Sequence, residues 1–281
     1  MWIERLRACQ NAVAIGLCVI MMVLAVLPLL AVLYHLIKFG GTSLDLGFFT
    51  ELPKPVGEEG GGLGNAIVGS LILVGLASVV GVPFGVVAGI YLARSVQGNF
   101  AFWVRYAADV LNGVPTIVIG VVVYEIIVVP MQGFSAMSGA IALAIIMLPT
   151  VVRTTEEMIK LVPRTLYDAA LALGAPEWRA TSWVLLRGAR AGIMTGIMLA
   201  AARIAGETAP LLFTAFNSMN WTNDLRQPIA SLPVYIYNYA ISPWDEMHRK
   251  AWAAALVLVG LVLTFSIVTR IVTHSRYRII Q

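Results

Sequence analysis

Charge is scarce in this chain. Of its 281 residues only 12% are Asp, Glu, Lys or Arg, about half the share with which a soluble domain covers its surface. With 59% hydrophobic residues and a mean hydropathy of +0.85, water is excluded as the main solvent. Cysteine is nearly absent: Cys9 and Cys18 lie at the start of the first apolar run without metal-site spacing and read as inert. Histidine is as thin. His35, His248 and His274 are scattered, and without H-E-x-x-H a zinc hydrolase of that type is excluded. There is no G-x-x-x-x-G-K-[ST], hence no P-loop for ATP, and no G-x-S-x-G nucleophile. The formal net charge of +4 does not call for nucleic acid, because basic residues gather on the cytoplasmic side of membrane proteins.

Apolar runs are what the chain has in abundance. Six reach or approach the roughly 20 residues of a membrane-spanning helix: 12–36, 65–93, 107–129, 138–152, 191–216 and 251–272. The short alternating segments of a transmembrane barrel are missing. The expected fold class is all-α, a polytopic membrane protein with six transmembrane helices. The run 11–37 follows Arg5 and Arg7 as a signal peptide would, but its length makes it an anchor. With the N-terminus inside, 13 of the 19 Lys and Arg fall in cytoplasmic segments and five outside, and Arg203 is left within a span. That asymmetry places both termini in the cytoplasm. Outside, 51–64 reads as a flexible acidic loop with chain breakers, and 217–249 as a longer loop rich in Trp, Tyr, Asn and Pro.

Within the spans, Gly81, Gly85 and Gly89 recur every four residues, which aligns them on one helix face and lets a neighbour approach closely. Pro83, Pro115 and Pro149 are expected to bend their helices, each removing a backbone hydrogen bond. The cytoplasmic stretch 153–190 reads as ordered. Thr154 with Glu157, and Thr165 with Asp168, have capping-box spacing. Gly174 sits where a helix ends, and Pro176 where the next begins. Two short helices joined at LGAP make an exposed knob.

The knob carries a resemblance. Asp168-Ala169-Ala170, three residues, Gly174, nine residues and Val184-Leu185-Leu186 resemble the EAA motif of ABC importer permeases, with Asp168 in place of Glu and Arg187 in place of Pro. The runs NGVPTIVIG, LPTVVRTTEEMIKLVP, YDAALALGAPEWRAT and RIAGETAPLLFTA look like the phosphate-importing branch of that family. The likeness covers most of 60–275. It implies a type I importer fold, one transmembrane domain over 1–281 with the EAA loop at 153–190, and import of inorganic phosphate across the inner membrane. It implies no cofactor, no metal and no catalytic residue. The implied partners are a second related permease, two copies of a cytoplasmic ATPase docked on Asp168, Ala169, Ala170 and Gly174, and a periplasmic phosphate-binding protein.

RIAGETAP, residues 203–210, places Arg203 and Glu207 inside an apolar span. A mid-bilayer charge costs about 2.5–3.5 kcal/mol on the insertion scale. Arg203 is 13 residues beyond Arg190, roughly 20 Å along a helix and so about mid-membrane. On a continuous helix Gly192, Gly196, Ala200, Arg203 and Glu207 form one narrow stripe of small and charged residues, which should face a neighbouring helix or a water-filled path. Two readings stay open. In one, Arg203 and Glu207 are an i, i+4 ion pair that supports the fold. In the other, favoured by the resemblance, Arg203 lies on the path of an anion, with Glu207 and Thr208 beside it, and Pro210 marks a hinge. Glu125, near the outer end of its span, is a secondary candidate for the path. A permease for sulfate or molybdate, an ion-coupled secondary transporter with Glu207 as its proton site, and an intramembrane enzyme are the alternatives. The last is disfavoured because arginine does not give up its proton.

Overall fold

The structure, a computed structural model, describes residues 2–55, 57–58, 60–95, 98–222 and 224–275, without the side chains of 2–6, 8–9 and 272–275. Arg276 and Arg278 lie outside the described residues, as do the side chains of Arg5 and Cys9. Helix α1 (Trp2–His35) runs into a π-helical turn, Leu36–Gly40. It stands off from the bundle, exposed all round from residue 10 to 32. After α2 (Leu46–Thr50), capped by Asp45 accepting from the Phe48 amide at 2.7 Å, comes α3 (Gly64–Arg94). The loop between them is stitched rather than loose: the Gly61 amide donates to Glu51 at 3.1 Å and the Leu63 amide to the Phe48 carbonyl at 2.8 Å.

Next come α4 (Asn99–Gly113), α5 (Thr116–Val123), a π-helical turn (Tyr124–Val128) and α6 (Val129–Met131). The expected span 107–129 is two helices, 99–113 and 116–131, bent by 105° at the break where Pro115 was expected to bend it. Gly113 weakens the helix, and Val114, standing before Pro115, is pushed to extended backbone at φ −72°, ψ 129°. Pro83 and Pro149, by contrast, lie inside unbroken helices. Counting the bent pair as one, up to six helices among the described residues are long and apolar enough to cross a membrane.

Helix α7 (Ala136–Lys160) continues well past the expected boundary at 152, so residues 153–160 are membrane helix rather than loop. The Thr154–Glu157 capping box falls with that boundary: Thr154 is mid-helix and its hydroxyl donates to the Thr150 carbonyl at 2.7 Å. The second box fails too, because α8 (Arg164–Ala172) starts at Pro163 with no side-chain cap. A short α9 (Glu177–Ala180), a π-helical turn (Thr181–Leu185) and α10 (Leu186–Ala205) follow, with Arg187 inside helix. The chain closes with α11 (Ala209–Thr214), α12 (Leu232–Ala240) and α13 (Asp245–Ser275).

The centre of the bundle is the parallel pair α3 and α7. A Cβ on Gly81 would meet Met147 at 3.1 Å, one on Gly85 would meet Val151 at 2.7 Å, and one on Gly89 would meet Thr155 at 2.5 Å. The partners advance together four by four, which is the close approach the glycine spacing predicts. The expected consequence is a sign difference. Gly89→Ala lowers the melting temperature of the detergent-purified protein, because the Val152 carbonyl, 2.7 Å from the new methyl, cannot swing away. Overpacking of this kind costs about 1–3 kcal/mol. Gly75→Ala, with nothing within 4 Å of its new methyl, instead gains up to about 1 kcal/mol of helix propensity. Equal shifts at the two positions would refute the packing argument.

The 214–231 stretch caps the start of α7. The amides of Ser135, Ala136 and Met137 donate to the carbonyls of Thr214, Gln227 and Leu225 at 3.0–3.1 Å, satisfying donors that a helix start leaves open. Nearby, burial pushes the Tyr235 phenol up, and its hydroxyl donates to the Ser218 carbonyl at 3.1 Å.

Candidate functional site

Helix α10 runs antiparallel to α7. Gly188 lies against Val162, Gly192 against Met158 and Gly196 against Thr154. Continuing that register brings Arg203 level with Met147, about the middle of α7. Arg203 thus lies alongside the middle of α7. The small stripe, however, has a different composition from the expected one. Its glycines and the buried Ala200 pack on α7, while Glu207 is not on the helix at all.

The helix stops at Ala205. Gly206 turns back, its amide donating to the Arg203 carbonyl at 3.2 Å, and the Glu207 amide donates to the Ile204 carbonyl at 3.2 Å. Pro210 has no amide for the Gly206 carbonyl. Thr208 opens α11, its carbonyl accepting from the amides of Leu211 and Leu212. The break is held tightly from behind: a Cβ on Gly120 of α5 would sit 2.6 Å from the Pro210 Cα, and one on Gly139 of α7 2.7 Å from the Ala215 methyl.

In front of the break the two charges are loosely paired. Arg203 Nε and Glu207 Oε1 are 3.9 Å apart, with 46% of the arginine side chain and 17% of the glutamate exposed. Hydrogen bonds between nitrogen and oxygen close at about 2.7–3.2 Å, so Glu207 attracts the guanidinium without using its fork of donors. The expected ion pair is present as a contact and weak as a bond. Glu125, on the π-helical turn 124–128, is exposed and has no hydrogen-bond or ion-pair partner among the described residues. The structure gives no contact that joins it to Arg203.

The knob folds as two short helices. Gly174 adopts φ +82°, the left-handed conformation that a glycine C-cap supplies, and the amides of Gly174 and Ala175 close onto Leu171 and Ala170. Asp168 does not cap anything: it is exposed in the middle of α8, has no hydrogen-bond partner among the described residues, and borders a cavity of about 540 Å3 with Arg94, Lys160, Arg164 and Tyr167. Ala169 and Gly174 are exposed and Ala170 half-buried. The knob also turns apolar side chains outward, Leu173 at 89% exposure and Leu166 and Trp178 beside it.

One charged constellation was not expected. Glu156, near the C-terminal end of α7, is 1% exposed and meets three cations: Arg105 of α4 at 2.7 Å, Lys160 at 2.5 Å and Arg153 at 3.3 Å. Arg153 also pairs with Asp109 of α4. Arg105 further donates to the carbonyls of Leu92 and Ser95 at the end of α3, at 2.7 and 3.1 Å. One carboxylate therefore ties α3, α4 and α7 together. The i−3 and i+4 spacing of Arg153 and Lys160 about Glu156 was the available signal; the arginine from α4 left none.

The model of the family described as "Binding-protein-dependent transport system inner membrane component" matches residues 81–276. The "Phosphate transport system permease protein PstA" of Yersinia pestis is 44% identical over 95% of this chain and 90% of its own length. The protein of that name from Xylella fastidiosa strain Temecula1 is 48% identical over 84% and 82%. Among solved structures, a chain of the MetNI methionine ABC transporter in an inward-facing conformation covers 75% of this chain and 92% of its own, with a TM-score of 0.59 at 17% identity. That last likeness is one of fold.

Proposed function

We propose that this chain, which belongs to the family of binding-protein-dependent transport system inner membrane components, is the permease subunit of an ATP-driven importer of inorganic phosphate. It is a multi-pass inner-membrane transport subunit and not an enzyme, and the family implies ATPase and substrate-binding-protein partners. In our finer reading a second, related permease completes the pathway, and a pair of ATPase copies binds the cytoplasmic knobs. A periplasmic phosphate-binding protein docks on the outer loops. Both termini are cytoplasmic, and a single transmembrane domain spans 1–281.

The observation that supports a phosphate path most directly is the unspent guanidinium of Arg203. It is permanently charged, half exposed on the surface of a membrane protein, and 3.9 Å from its only charged partner among the described residues. Hydrocarbon would penalise it, so it faces the second permease or a wet path. Its planar donor fork matches phosphate oxygens. Glu207 and Thr208 flank it at the helix break, and Glu207 moderates the attraction so that the anion is released. Asp168, Ala169, Ala170 and Gly174 present the knob to the ATPase. Glu125, without a partner among the described residues, is a secondary contributor to the path.

Reconstitution tests the whole reading. Proteoliposomes holding this chain, the second permease and the ATPase, supplied with the binding protein, should accumulate radiolabelled phosphate only with ATP. Excess sulfate or molybdate should not compete, and collapsing the proton gradient should leave uptake intact. Competition by sulfate would move the assignment to another oxyanion. Uptake without the ATPase would establish an ion-coupled carrier instead.

A further inference from the structure

Arg94 gives the knob a polar contact with α3. Arg94, the last residue of α3, sends its Nη2 to the Tyr167 hydroxyl of α8 at 3.0 Å and to Glu177 of α9 at 2.6 Å. Its guanidinium also lies over the Tyr167 ring, 5.7 Å from the centroid. Tyr167 in turn packs, with Ala93, against the apolar cluster of Ile159, Leu185, Ala189 and Ile193. Two residues before Arg94 and one after it, the carbonyls of Leu92 and Ser95 accept from Arg105, which holds Glu156 of α7. A continuous polar route thus leads from both knob helices into α3, then α4, then α7.

We propose that Arg94 is a positioning residue that carries displacement of the knob into α3, and through Arg105 and Glu156 into α4 and α7. The inference rests on the reading of the knob as the ATPase dock. Two features favour transmission over mere stability. First, the Arg94–Glu177 pair is largely open to solvent, Glu177 being 71% exposed, and exposed ion pairs contribute about 1 kcal/mol or less to folding. Second, α3 is the helix locked to α7 along its glycines, so whatever moves its end moves the central pair as a unit. Without Arg94 the knob keeps its covalent links to α7 and α10 but loses its polar grip on α3.

The test uses the complete transporter in proteoliposomes, with uptake and ATP hydrolysis measured on one preparation. For Arg94→Gln the ATPase should co-purify at the wild-type ratio and hydrolyse ATP. The phosphate moved per ATP should fall about tenfold, within the range by which residues along coupling networks act. The charge exchange Arg94→Glu with Glu177→Arg should recover a substantial part of the ratio, which a purely steric role would not allow. A ratio unchanged in Arg94→Gln, or uptake and hydrolysis falling in parallel, would overturn the proposal. An ATPase that still binds when the knob is deformed by Gly174→Val would overturn the dock itself, and the transmission role with it.

Discussion

Arg203→Gln should abolish phosphate uptake by the assembled transporter, and Arg203→Lys should restore little of it. The arginine is not needed to hold its helix: Gly188, Gly192 and Gly196 do that against α7, and Glu207 stands too far away for a hydrogen bond. Both variants are therefore expected at wild-type levels in the membrane, bound to the ATPase. What they lose is the donor fork. Hydrogen bonds to charged groups contribute about 1.5–3 kcal/mol each, so losing one or two from the anion's passage slows it by roughly a hundredfold. Lysine keeps the charge but offers a point in place of a plane. Glu207→Gln should act in the opposite sense on affinity. With the counter-charge gone, half-saturation should come at lower phosphate while maximal uptake falls, because the anion leaves more slowly. Uptake surviving in Arg203→Gln, measured with radiolabelled phosphate at matched membrane levels, would return RIAGETAP to the role of a structural ion pair.

How far the sequence discloses this site depends on which physics is local. The position of Arg203 along its helix follows from counting residues, and the register of α10 on α7 sets it beside the middle of α7. The glycine stripe of α3 and the turn at Gly174 are equally local, and each appears where spacing places it. The helix breaks are harder. Pro149 and Pro115 look alike in sequence, yet α7 runs through the first and the chain breaks at the second. The difference lies in the surroundings. Pro149 is buried in a helix gripped by both α3 and α10, which override the lost hydrogen bond, whereas Pro115 follows a glycine and a residue forced out of helical geometry. The helical wheel failed at Glu207 for a related reason. It assumes continuity, and Gly206 with Pro210 removes it.

Glu156 was invisible for another reason: it adjoins Glu157, and the two look interchangeable in RTTEEMIK. The fold separates them completely, and Glu156→Gln is expected to be the most destabilising single change at the C-terminal end of α7. Removing one member of a buried ionic network costs about 3–5 kcal/mol, because the partners are left without counter-charge. Here three cations meet one carboxylate that is 1% exposed, only Arg153 has a second carboxylate partner among the described residues, Asp109, and Arg105 also holds the end of α3. Glu157→Gln, an exposed neighbour, and Lys160→Met, whose side chain is half in solvent, should each shift stability by less than about 1 kcal/mol. Thermal unfolding of the purified protein in detergent would separate these outcomes. A Glu156→Gln protein that melts with the other two would mean that water, rather than the carboxylate, satisfies Arg105 and Arg153. The three helix ends would then be held by the Arg105 bonds to α3, the Arg153–Asp109 pair and apolar contacts, and the polar route from the knob through Glu156 would end at Arg105.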